Sequence, residues 1–166
     1  WHVSMAGRNE VDFYAKDAAD RLEAIVDSTR PDAIFNAVGY TQVDAAEDDV
    51  ECATLLNRTL PALLGRHVKT RPFALLPVST DFVFNGKKSA PYSVDDPPDP
   101  LGVYGKTKLA GEEALIALDL PHLLIIRTAW LFGPGKANFI SKILSMCHEK
   151  GSINVVHDQI GSPTYT

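Results

Sequence analysis

Pro72-Phe73-Ala74-Leu75-Leu76-Pro77-Val78-Ser79-Thr80-Asp81 decides the fold. Seven mostly apolar residues, Pro72–Val78, end abruptly in two hydroxyls and a carboxylate. A short apolar run of this kind reads as a strand buried on both faces, as in parallel sheets. Asp32–Val38, bounded by Pro31 and Gly39, and His122–Arg127 repeat the pattern on either side. Helical stretches separate them. Asp17–Thr29 carries Ala18, Leu22, Ile25 and Val26 at three- and four-residue spacing and is closed by Pro31. Glu47–Lys69 places Cys52, Leu55, Leu56, Leu63 and Leu64 inward, with Pro61 kinking or restarting it. A helix beginning near Leu101 turns Ala110, Ala114, Ala117 and Leu118 toward the sheet. Asn138–His148 is a further helix, and His2–Met5 and Ile153–Val156 read as short outer strands.

Strand and helix alternate throughout, without repeats. The predicted fold class is therefore α/β: a doubly wound, Rossmann-like parallel sheet with helices on both faces. Ligands of such sheets lie beyond the carboxyl ends of the strands. Three polar clusters stand there, Asn36–Thr41, Ser79–Asp81 and Arg127–Trp130. Between the second and third strands runs Asn85–Pro100, dense in Gly, Ser, Asp and Pro. A loop of that length inside a compact domain is usually functional.

Composition narrows the chemistry. The 166 residues suit one domain, with 45% hydrophobic and 22% charged residues. A net charge of −5 and the lack of a basic cluster argue against a nucleic-acid partner. The apolar runs fall short of the ~20 residues that span a bilayer, so no membrane role is expected. Cys52 and Cys147 stand far apart, as two reduced thiols of a cytoplasmic protein would, and no His or Cys group has metal-ligand spacing. The chain begins at Trp1 rather than at methionine, as a piece of a longer protein would.

Tyr104 and Lys108 lie one turn apart on the same face of the helix that begins near Leu101. With Thr80 at a neighbouring strand end they form a hydroxyl, a phenol and an ammonium around one crevice. That set suits reduction of a ketone: hydride reaches the carbon, and Tyr104 gives its proton to the developing alkoxide. Thr80 holds the same oxygen in line. An ammonium ~6 Å from the phenol, at an effective dielectric of ~20, is worth roughly 2.8 kcal/mol. Lys108 is thereby expected to bring the phenol well below its ordinary range, and to hold the ribose hydroxyls of a bound nucleotide. Ser79-Thr80-Asp81 also reads as a turn or helix cap. Gly105 and Gly111 cost helix stability and so predict a close approach of another backbone or a ligand.

Ser79-Thr80-Asp81-Phe82-Val83-Phe84 followed by Pro100–Glu112, with Tyr104-Gly105-Lys106-Thr107-Lys108 inside it, resembles the extended short-chain dehydrogenase/reductases. The resemblance is to the branch of the dTDP-4-dehydrorhamnose reductases. Arg30–Thr41, Val43-Asp44, Ala46-Glu47, Arg127-Thr128-Ala129-Trp130 and Asp158–Thr164 match that branch in order. It implies NADPH-dependent reduction of the 4-keto group of a dTDP-4-keto-6-deoxy sugar by a catalytic triad of Thr80, Tyr104 and Lys108. It also implies that Gly39, Tyr40 and Thr41 line the cofactor's ribose and pyrophosphate, together with Tyr104 and Lys108. Asp12 and Phe13 would meet adenine, and Thr80, Asp81 and Trp130 the sugar nucleotide. Trp130 also reads as a strand-end aromatic covering the core. Asn57 matches a structural asparagine of related enzymes or is a helix-packing residue. Arg8, near the small Ala6, suits a 2′-phosphate and favours NADP(H), with NAD(H) the alternative; it also reads as a solvated turn arginine. A homodimer is the implied assembly.

The departures are as telling. No Gly-x-x-Gly-x-x-Gly turn occurs, and Trp1 stands about where the second strand of such a sheet begins. Residues 1–166 are thus expected to form part of a NAD(P)-binding domain lacking its first strand-turn-helix, with the start of a substrate lobe near the C-terminus. Ala45 replaces a lysine frequent in this branch. Asp81 is followed by Phe82 where the dehydratases carry Glu, which disfavours water elimination. The alternatives are a nucleotide-sugar 4-epimerase and a non-catalytic subunit resembling the regulatory subunit of methionine adenosyltransferase.

Overall fold

The computed structural model describes residues 2–71, 73–135 and 137–166. They form two compact units, residues 1–126 and 127–166. In the first unit, α1 (Ala18–Thr29) buries Leu22 and Val26 and ends at Arg30 in the left-handed region, just before Pro31. Next come β1 (Ala33–Asn36), a 3-10 turn (Ala45–Glu47) and α2 (Val50–Thr54). α2 runs through a π turn (Leu55–Thr59) into α3 (Leu60–Lys69). β2 (Ala74–Thr80) leads through a 3-10 turn (Asp81–Val83) and a long loop to α4 (Val103–Ile116). β3 (Ile126–Thr128) begins at the last residue of this unit, and the sheet order is β1-β2-β3.

β1 and β2 are parallel, with Ala33 opposite Ala74 and Asn36 opposite Pro77. One core underlies them. Val11, Phe13, Leu22, Val26, Leu56, Leu60, Leu64, Val68, Phe73, Leu75 and Leu115 gather residues from α1, the α2–α3 helix, β2 and α4. The π turn explains the behaviour of Pro61. Proline has no N–H for the carbonyl four residues earlier, and the wider turn lets the α-helix restart at Leu60 with Pro61 just inside it.

Several boundaries and faces differ from the sequence reading. His2–Met5 forms no strand: Val3 and Met5 are exposed, and no described strand pairs with them. Ile153–Val156 is likewise irregular. The C-terminal strand is instead β5 (Thr164–Tyr165), paired in parallel with β4 (Leu131–Phe132). In the run Asp32–Val38, Phe35 is 60% exposed and Ala33 is exposed, β1 being at the edge of the sheet among the described residues. The helix expected from Glu47 begins at Val50, capped by Asp49, whose carboxylate accepts from Cys52 N–H at 3.3 Å. β2 starts at Ala74; Pro72 lies outside the described residues. Of His122–Arg127 only Leu123 forms a bridge, to Leu75, before β3 begins at Ile126.

The largest correction concerns α4. Its buried face is Gly105, Thr107, Gly111, Glu112 and Leu115, while Ala117 is exposed. A stripe of alanines looked like the core face, yet two glycines set the packing. A Cβ on Gly111 would run into the carbonyl oxygen of Asn57, and one on Gly105 into that of Phe82. α4 therefore lies backbone to backbone against the π turn and the turn after β2. The close approach expected at both glycines is present.

In the second unit, α5 (Phe139–Lys150) has Asn138 and Ser141 in a reciprocal capping box and ends at Gly151 with positive φ. No helix among the described residues is long and apolar enough to cross a membrane.

Candidate active site

β2 ends at Thr80, which is 5% exposed, and α4 begins one residue before Tyr104. The Thr80 hydroxyl lies where it acts on the Tyr104 phenol, favouring its charged form. The Thr80 Oγ1 also accepts from Phe82 N–H and donates to Asp81 Oδ1, each at 3.2 Å. The Tyr104 ring is set edge-on to Phe82, with centroids 5.6 Å apart. One turn along, Lys108 Nζ donates to the carbonyl of Val78 at 2.6 Å. Thr80, Tyr104 and Lys108 are thus brought to one place, the carboxyl end of β2.

The electrostatics depart from expectation. Burial pushes the Tyr104 phenol up; the Thr80 hydroxyl works the other way and the Asp81 charge adds to the rise. Burial also pushes the Lys108 amine down, against the pull of Glu112. The expected lowering of the phenol by Lys108 is not found, because Lys108 is turned to the Val78 carbonyl and both groups are desolvated. The neutral phenol is the favoured form. That still suits a proton donor, since an alkoxide is a far stronger base than a phenolate.

Asn57 ties the loop after β1 to α4. It is 1% exposed and lies in the π turn. Its Oδ1 accepts from Tyr40 N–H at 2.9 Å, and its Nδ2 donates to Tyr40 O at 3.3 Å and to Thr107 Oγ1 at 3.0 Å. The Thr107 hydroxyl in turn donates to the carbonyl of Tyr104 at 3.0 Å. One amide therefore satisfies both backbone groups of Tyr40, as a neighbouring strand would, and reaches the helix of Tyr104. Gly39 comes close to the same cluster: a Cβ there would lie 3.1 Å from Asn57 Oδ1 and 3.6 Å from Lys108 Nζ. Thr41 follows, exposed.

The other sequence candidates are spread more widely. Arg8 and Asp12 are exposed ahead of α1, and the Asp12 carboxylate accepts from Tyr14 N–H at 3.0 Å. Phe13 belongs to the core and is 9% exposed. Trp130, in the second unit, has φ 48° and rests on Gly161, where a Cβ would meet the indole at 2.9 Å. Phe139 lies against it at 6.1 Å.

Glu47 escaped the sequence reading. Its Oε1 accepts from Val103 N–H at 2.7 Å and thereby caps α4 from 56 residues away. The signal was available: Gly102 sits at the N-cap of α4, and a helix start without a capping side chain needs an acceptor from elsewhere. Replacing Glu47 with Ala in the full-length protein is expected to cost about 1 kcal/mol, while Gln, which keeps an acceptor oxygen, loses less. Urea unfolding midpoints measure both; equal midpoints for wild type and Glu47→Ala would refute the cap.

A parallel sheet whose strand end presents a hydroxyl to a tyrosine and a lysine on the next helix defines a Rossmann-like fold of the extended short-chain dehydrogenase/reductase class. The chain belongs to the RmlD substrate binding domain family, whose sequence profile matches residues 1–166. It is 41% identical over 165 residues to a dTDP-4-dehydrorhamnose reductase of Aggregatibacter actinomycetemcomitans, covering 96% of this chain and 56% of that protein. It is 44% identical over 138 residues to the spore coat polysaccharide biosynthesis protein SpsK of Bacillus subtilis, covering 82% and 48%. A crystal structure of dTDP-4-dehydrorhamnose reductase from Bacillus anthracis in complex with NADP superposes with a TM-score of 0.89 at 31% identity, covering 96% of this chain and 56% of that one. The chain spans about half the length of the curated relatives it matches.

Proposed function

We propose that the protein to which this chain belongs reduces the 4-keto group of a dTDP-4-keto-6-deoxy sugar with NADPH, as a dTDP-4-dehydrorhamnose reductase of dTDP-L-rhamnose synthesis. The observation that carries this reading is the meeting of Thr80, Tyr104 and Lys108 at the end of β2. The relatives named above support it.

Several features of the chain fit a nicotinamide dinucleotide. A Cβ on Gly39 would press on Asn57 Oδ1 at 3.1 Å and touch Lys108 Nζ at 3.6 Å, so glycine keeps the backbone open beside these two groups. Lys108 has three N–H donors, of which the Val78 carbonyl takes one. Gly39, Tyr40, Thr41 and Lys108 would hold the ribose and pyrophosphate, Asp12 and Phe13 the adenine, and Arg8 a 2′-phosphate. NADP(H) is thus preferred over NAD(H). When bound, the cofactor supplies the hydride that adds to C4 of the sugar. Tyr104 would then give its proton to the carbonyl oxygen, which stays on C4 as the hydroxyl of the product alcohol, and Thr80 would steady that oxygen by its own hydrogen bond. Asp81 and Trp130 would contact the sugar nucleotide. The first unit would serve as the NAD(P)-binding domain and the second as the start of the substrate lobe. The homodimer and the cytoplasmic location belong to the same reading.

The test is turnover. Full-length protein mixed with NADPH and a dTDP-4-keto-6-deoxy sugar is expected to oxidise NADPH in proportion to sugar consumed. Tight binding of a methionine adenosyltransferase with no NADPH oxidation would overturn the reductase reading in favour of a regulatory subunit. Interconversion of C4 epimers without net NADPH consumption would point to an epimerase.

A further inference from the structure

Among the described residues of the second unit, Trp130 alone carries a side chain at positive φ, 48°. A bulky residue seldom adopts that conformation, and where it does its surroundings must hold it there. The backbone is held by β5: the Trp130 carbonyl accepts from Thr164 N–H at 3.3 Å, at the start of the β4–β5 pair. Three residues before Thr164 stands Gly161, and the indole is turned onto it. Phe139, the first residue of α5, is the aromatic neighbour, with ring centroids 6.1 Å apart and planes tilted by 50°. Asn138 Nδ2 ties the start of that helix to the carbonyl of Gly133, just after β4, at 3.0 Å. Trp130 nevertheless remains 45% exposed.

The backbone gives no reason for a glycine at 161, since its φ lies outside the left-handed region. The ring gives one. The three atoms nearest to a Cβ added there all belong to the indole: Cε2 and Nε1 at 2.9 Å and Cζ2 at 3.3 Å. The first two distances are closer than a Cβ comes to a neighbour, so a methyl group displaces the ring. At Gly105 and Gly111 the nearest obstacle is a backbone carbonyl; here it is a side chain at the surface, which can swing into water. A substituent at 161 therefore costs the fold little and moves the indole.

We propose that Gly161 is a positioning residue: its missing side chain sets the orientation in which the Trp130 indole meets the sugar nucleotide. The proposal rests on Trp130 contacting that ligand, as in the reading above, and does not require turnover.

The experiment uses full-length protein labelled with 15N-tryptophan, the indole Nε1–H cross-peak of Trp130 being assigned by its loss in Trp130→Leu. The probe is dTDP-glucose, a stable dTDP-hexose. Its addition is expected to move the Trp130 cross-peak of the wild type. In Gly161→Ala the peak is displaced before any ligand is added, and the Kd for dTDP-glucose rises roughly three- to tenfold. With the keto sugar as substrate, KM rises by the same factor and kcat is nearly unchanged, the mark of a lost binding contact. The melting temperature stays close to wild type. On a Trp130→Leu background, which lacks all three indole atoms, Gly161→Ala weakens binding no further. An unmoved cross-peak in Gly161→Ala, an equal loss of affinity on the Trp130→Leu background, or a Gly161→Ala protein that fails to fold overturns the proposal. A wild-type peak that dTDP-glucose leaves in place overturns the Trp130 contact and the proposal with it. A protein that shows the displaced peak and the weakened binding yet oxidises no NADPH would sink the reductase reading and leave the role of Gly161 standing.

Discussion

Replacing Tyr104 with Phe in the full-length protein is expected to lower kcat by two to four orders of magnitude, the range of general acid catalysis, with NADPH affinity nearly unchanged. The reason is the division of labour around the ring. The edge-on contact with Phe82 at 5.6 Å is a property of the ring and survives in Phe. The hydrogen bonds that place α4 run through Thr107, Asn57 and the Tyr104 carbonyl, none of which uses the phenol. Thr80 keeps its bonds to Phe82 N–H and Asp81. What is lost is one proton and one hydroxyl. Stability should therefore change little while chemistry collapses, and steady-state rates beside fluorescence titration of NADPH measure the two effects separately. A kcat near wild type would show that Tyr104 is not the acid. Since burial holds the phenol above its ordinary range, the proton is present throughout the neutral region, and no loss of activity from tyrosine ionisation is expected as pH rises through 8.

Gly111→Ala is expected to destabilise the protein by about 2–3 kcal/mol, against a helix propensity that alone would favour Ala by about 1 kcal/mol. The two effects have opposite signs, so the outcome is decisive. An added Cβ would fall on the carbonyl oxygen of Asn57 and within 3.2 Å of its carbonyl carbon. These are backbone atoms of a buried turn and cannot swing aside. Relief requires α4 to withdraw from the π turn, which strains the Asn57 bonds to Tyr40 and Thr107. A fall in melting temperature of roughly 5 °C or more follows, and calorimetry on the full-length variant reads it directly. A rise instead would mean that α4 and the π turn are not packed backbone to backbone.

The sequence and the structure agree where local chemistry dominates. The apolar run ending in Thr80, the helix carrying Tyr104 and Lys108, and the two glycines that foretell a close approach were all readable from residue types and spacing. Three things were not. The buried face of α4 was misread because alanines at helical spacing look like a core stripe, whereas the closest contacts are made at Gly105 and Gly111, with Thr107, Glu112 and Leu115 buried beside them. The electrostatics of Tyr104 were misjudged because the partner of Lys108 is a backbone carbonyl, invisible in a list of side chains, and burial raises the phenol. Glu47 and Asn57 were missed or left open because their partners are distant in sequence: 56 residues to Val103 and 50 to Thr107. The glycine at the start of α4 signals that an acceptor is needed, and only tertiary contact says that Glu47 is the one.

The bond from Lys108 to the Val78 carbonyl has one more consequence. A free lysine side chain explores many rotamers, and fixing it on a ligand gives up close to 2 kcal/mol of rotational freedom. Here that freedom is already surrendered when the chain folds, because the ammonium is leashed to β2 before any ligand arrives. On the reading proposed above, a ribose hydroxyl would meet a donor that is already held still, so its association would lose less entropy than at a mobile surface lysine. An arginine in its place would bring a wider, planar head to a carbonyl that accommodates a single point donor.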